Sequence, residues 1–143
     1  MEIKKEGNMF FVRMEDGEDF FEGLEKIVKQ NKIKGGFLFA TLGQFKNVEI
    51  AYFLKEKKEY IKKDFNDIFE IVNLSGNISY FENNFLPHVH VVLANKNFKC
   101  VGGHLNKATV CSTLEMLILT TKTRFIKKID KTTGLKILNF SEK

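Results

Sequence analysis

Arginine is scarce: only Arg13 and Arg124 stand among the 23 basic residues of a chain whose net charge is +5. A basic chain invites nucleic acid, but bidentate reading of guanine and insertion into narrow minor grooves favour arginine. The lysine clusters at Lys55, Lys57, Lys58, Lys62, Lys63 and at Lys127, Lys128, Lys131 offer contacts to phosphate that read no sequence. The other reading is that they are solvated strand ends and hairpin tips. Cysteine is scarce as well. Cys100 and Cys111 are the only two, in apolar runs that suit buried, reduced thiols in a reducing compartment. No stretch approaches the roughly 20 apolar residues that span a bilayer, and Met1 to Gly7 lacks the apolar run of a signal peptide. The expectation is a cytoplasmic protein with no membrane partner. Repeats, linkers and low-complexity segments are also missing.

What is present is one domain, 1–143, in which a hydrophobic fraction of 43% with 15 Phe supplies a substantial core. Met9 to Met14 reads as an opening strand. Phe20, Phe21, Leu24, Ile27 and Val28 recur at helical spacing, with acidic residues early and Lys26 and Lys29 late, as the helix dipole favours. This predicts a helix over 18–31, its first acidic residues serving as cap and solvated face. Extended runs follow: 37–45, 48–54, 59–65, 68–74, 77–81, a pair around residues 88–101, 108–121, and two last strands around a basic turn near Lys131 to Gly134. Short links such as Lys46-Asn47 imply antiparallel neighbours. The fold class is α+β: a strongly curved, mostly antiparallel sheet of about seven strands with one main helix packed on it. One helix covers one sheet face, so the other is left to curvature or to a second copy of the chain.

The three histidines all lie between residues 88 and 104, as Pro87-His88-Val89-His90 and Gly102-Gly103-His104. His88 and His90 are two apart, so in a strand they share a face. The link from Val91 to Val101 reads as strand, polar turn, strand. A three-residue loop, Asn95 to Asn97, sets His104 opposite His88, Gly102 opposite His90 and Cys100 opposite Val92. All three imidazoles then share one face, within reach of ligands about 2 Å from one zinc ion. Gly102 and Gly103 line this site and leave space beside it. A slip of one residue would reverse His104, and two core histidines with one surface histidine is the competing reading.

The order of these motifs carries a resemblance. Gly17-Glu18-Asp19, the helix, Gly43, Phe69-Glu70-Ile71-Val72-Asn73-Leu74-Ser75-Gly76-Asn77-Ile78, the Pro87-to-Ala94 strand, Gly102-Gly103-His104-Leu105 and Thr113-Leu114-Glu115 together resemble the plant and prokaryote conserved (PPC) domain, in its stand-alone prokaryotic form. The resemblance implies a homotrimer with a metal, zinc or another divalent ion, at His88, His90 and His104. It also implies an analogy with plant nuclear proteins in which the domain is joined to AT-hooks, although no Arg-Gly-Arg-Pro core occurs in this chain.

Two functions follow as expectations. The first is a trimeric metal-binding protein with an open coordination position for a small-molecule ligand. If it is an enzyme, hydrolytic or lyase-type chemistry is expected, with Glu115, or Glu70, as the general base the motif lacks. A simple three-residue turn at Leu105 to Lys107 would face Glu115 away from the histidines, leaving it either to meet a neighbouring subunit's site or to be a structural partner for a buried polar group. The second is a DNA-binding or regulatory module.

Overall fold

The computed structural model describes residues 1–140. The elements begin with β1 (Glu2–Glu6), β2 (Met9–Glu15), the helix α1 (Phe20–Gln30) and β3 (Gly35–Leu54). They continue with β4 (Glu59–Phe65), β5 (Phe69–Ile78), β6 (Tyr80–Phe81) and β7 (Asn84–Phe85). Last come β8 (His88–Ala94), β9 (Cys100–Thr121), β10 (Ile126–Ile129) and β11 (Lys136–Asn139). The class is α+β with a seven-stranded antiparallel sheet, in the order β1-β2-β9-β8-β5-β3-β4. Because β3 pairs with both β5 and β9, the strands β9, β8, β5 and β3 form a closed ring. A second sheet, β11-β10-β6-β7, is seated where β5 ends and β8 begins.

The helix forms where its apolar spacing requires it. Asp19 caps it in extended conformation, its carboxylate accepting from the Phe21 and Glu22 amides. Phe20, Leu24, Ile27 and Val28 are buried, and the Phe20 ring meets Phe45 of β3 edge-on at 5.4 Å. On the solvent side Lys29 pairs with Glu25 one turn earlier at 2.8 Å. Inward strand residues such as Val89, Val91, Leu93, Val110 and Leu114 complete one core with this helix face.

Several expected breaks lie inside long strands, some as bulges and one, at Ser75-Gly76, as continuous strand. Lys46-Asn47 does not reverse the chain: β3 runs on through a register shift against β9, with Asn47 at φ 52°. Residues 68–74 and 77–81 share β5 up to Ile78. The expected turn at Leu105 to Lys107 is also corrected, because β9 continues through it. The buried positions pass from Leu105 to Ala108, Val110, Leu114 and Met116, so one extra residue changes which parity faces the core. β1 had no apolar alternation to announce it; all five residues are exposed on an edge strand.

Curvature does not cover every apolar side chain. Phe11, Phe37, Phe39, Leu42, Tyr52 and Ile61 remain exposed.

Candidate metal centre

The hairpin between β8 and β9 has its three-residue tip one position later than expected. The Asn95 amide donates to the Lys99 carbonyl, the Asn95 side-chain oxygen accepts from the Asn97 and Lys99 amides, and Phe98 takes φ 59°. Moving the tip by one residue moves the pairing by two. His104 therefore lies opposite His90, Gly102 opposite Val92 and Cys100 opposite Ala94. These correct the expected partners, but a shift of two preserves the face. Val89, Val91 and Leu93 point into the core, and the histidines point away from it.

The result is a compact triad. The Nε2 atoms of His88 and His90 are 3.0 Å apart, and one nitrogen from each ring lies within 4.8 Å of the other two. Ring centroids are separated by 4.8, 4.9 and 5.6 Å. Ligands about 2.0–2.1 Å from a tetrahedral zinc sit roughly 3.3–3.4 Å apart. Donor type and number therefore fit such an ion, and on the order of 1 Å of ring movement closes the widest gap. The buried Nδ1 of His104 has no hydrogen-bond partner, which leaves one polar atom of the cluster for something the chain does not supply.

Electrostatics favour the neutral, ligand form of His88 and His104. Burial pushes His88 down to about 4, assisted by the neighbouring His104 and His90 and by the Lys127 ammonium. His104 is lowered by burial, then by His90 and Lys127. Neutral imidazole is the species that binds a metal. The Tyr60 ring packs 5.5 Å from His104 and fixes its outer side.

The other expected site residues lie elsewhere. A Cβ on Gly103, which has φ +155°, would stand 2.8 Å from the Ala51 carbonyl oxygen, and one on Gly102 would stand 2.7 Å from that of Val91. Both glycines thus permit close strand approach. Gly102 borders a hollow with Tyr52 and Ile61, and neither glycine lines the cavity that reaches His88 and His104. Glu115 pairs with Arg13 and Leu42 and lines a separate hollow with Glu2. Glu70 accepts from the Gln44 amide at 2.6 Å. Both cysteines are free, and Cys100 is exposed rather than buried, since it sits at the hairpin end.

One lysine of the basic clusters fits neither a solvated hairpin tip nor a free phosphate contact. Lys127 is buried, on β10, and lines the histidine cavity. No helix among the described residues is long and apolar enough to cross a membrane.

Comparison with known proteins finds the same fold and a family. The pattern of the Plants and Prokaryotes Conserved (PCC) domain, the PPC family under its other abbreviation, matches residues 1–122. A solved structure from Bacteroides thetaiotaomicron, whose given name assigns it provisionally to DNA binding, is 25% identical with TM-score 0.93, covering 99% of this chain and 98% of its own. A metal-containing protein from Archaeoglobus fulgidus is 28% identical with TM-score 0.85, covering 97% and 99%. A plant- and prokaryote-conserved protein from Pyrococcus horikoshii is 27% identical with TM-score 0.84, covering 99% and 95%. No curated protein sequence matches the chain.

Proposed function

Since the chain belongs to the Plants and Prokaryotes Conserved domain family, we propose that it is a metal-binding member of that family. His88, His90 and His104 hold one divalent ion, zinc, and leave a coordination position open for a small molecule. The convergence of one ring nitrogen from each of three histidines within 4.8 Å carries this reading. The Archaeoglobus relative described as metal-containing supports it. Structural zinc takes four protein ligands, whereas three leave room for water or substrate. Zinc held this way supplies a polarising charge and water with a pKa near 7, which suits hydrolytic or lyase-type chemistry. The chain's own part is to orient the rings, through the β8–β9 pairing and the Tyr60 contact. Glu115 enters such chemistry only where a second copy brings it to the site.

The exposed Phe37, Phe39 and Leu42 support self-association, which we assign as a homotrimer on the family resemblance. DNA binding is the alternative, resting on the naming of the Bacteroides relative. The cation supply here argues against it, since Lys62 is paired with Glu49 at 3.3 Å and Lys127 is buried.

Titrating zinc into chelator-treated protein tests the metal assignment. Saturation near one ion per chain is expected, and no saturable uptake contradicts it. Mass in solution measured on the same samples is expected to be that of three chains with and without zinc.

A further inference from the structure

The cavity of ≈ 640 Å³ beside the triad has an unusual charge balance. His88 and His104 form one wall, and the β10–β11 hairpin, which follows the family match ending at residue 122, forms another. Three lysines line it, Lys62, Lys127 and Lys136, and among the described residues no lining residue is acidic. Two of the three are engaged: Lys62 with Glu49 at 3.3 Å, and Lys136 over the Phe81 ring at 4.3 Å. Lys127 is not. It is 6% exposed, and among the described residues it has neither a side-chain hydrogen bond nor an ion pair.

The stem of Lys127 is buried while its Nζ is not among the buried polar atoms without a partner, so the ammonium opens onto the cavity with no counter-charge, and an unpaired charge in a cleft marks a candidate ligand site. The remaining walls narrow the choice of ligand. Leu86, Pro87, Leu135 and Ile137 are apolar, and Asn77 and Asn106 add neutral polar groups. The cavity suits a molecule with an anionic head and an apolar body.

We propose that this cavity binds a small organic carboxylate, its head group held by the Lys127 ammonium and directed at the open position of the ion on the histidines. The inference rests on the metal reading and names the ligand class of that same site. Burial, and then the neighbouring Lys136, pushes Lys127 down to about 8. A carboxylate is the fitting head group because its two oxygens satisfy two positive centres at once.

Calorimetry with benzoate as the probe tests the proposal, with neutral benzamide as the matched control. Zinc is first titrated into wild type and Lys127→Met. Saturable zinc uptake near one ion per chain in both shows that the variant is folded with an intact triad, the lost Lys127 charge acting on the affinity itself. Benzoate is then expected to bind zinc-loaded wild type, to bind Lys127→Met at least tenfold more weakly, and to bind far better than benzamide. If zinc binds but benzoate does not, or if Lys127→Met or benzamide matches wild type with benzoate, the carboxylate proposal is overturned and the metal site stands. If wild type takes up no zinc, both fall.

Discussion

Replacing His88 and His90 together by alanine should reduce zinc uptake from near one ion per chain to the level of a single surface imidazole. Where binding free energy on the order of 10 kcal/mol is shared by three ligands, losing two costs roughly 7 kcal/mol, or about 10⁵-fold in affinity. The single His90→Ala change, at the exposed member of the triad, should cost roughly 10²-fold on the same arithmetic. Both residues point away from the core, so far-ultraviolet circular dichroism should be unchanged. Competition against a chromophoric chelator reads the affinities. A double variant that still binds zinc within tenfold of wild type would show that the ion sits elsewhere.

The second large effect concerns the β3–β9 seam. Gly43 pairs with Leu114 and has φ +123°. A Cβ there would stand 2.1 Å from the Thr113 carbonyl oxygen and 2.9 Å from the Leu114 Cα. Both atoms are backbone, so neither can swing aside as a flexible side chain does. Gly43→Ala therefore combines unfavourable backbone strain of about 1–3 kcal/mol with displacement of a packed strand, about as much again. Out of a typical total near 5–15 kcal/mol, that loss should lower the thermal midpoint by on the order of 10 °C. Gly134 is the control, since it has φ +78° with nothing within 4 Å of the added Cβ, and its alanine variant should show the strain alone. A Gly43→Ala protein melting within about 2 °C of wild type would mean that the seam is looser than this packing implies.

The two tests also mark where sequence reasoning works and where it stops. That the three histidines share a face follows from a spacing of two on one strand and an even pairing sum across the hairpin. Which histidine opposes which depended on where the turn tip falls. That was set by the Asn95 side chain and the left-handed Phe98, neither of which has a strong local signal. The long strands were legible as apolar runs, but their bulges were not. A polar pair such as Lys46-Asn47 looks the same whether the chain reverses or merely shifts register. Lys127 shows the limit plainly. In sequence it is one lysine of a basic cluster, and only the parallel pairing of β10 with β6 carries its hairpin to the mouth of β8. That contact joins Tyr80 to Ile126, and no local pattern encodes it. The separation of Glu115 from the triad belongs to the same class, because it depends on the long β9 and its partners.

The most direct measurement is anomalous diffraction at the zinc edge from crystals of protein loaded with one equivalent of the ion. The expected result is one strong peak per chain, about 2.0–2.1 Å from one nitrogen of each of His88, His90 and His104, with a coordination position facing the cavity beside Lys127. A peak at any other group, or none at the triad, would contradict the assignment.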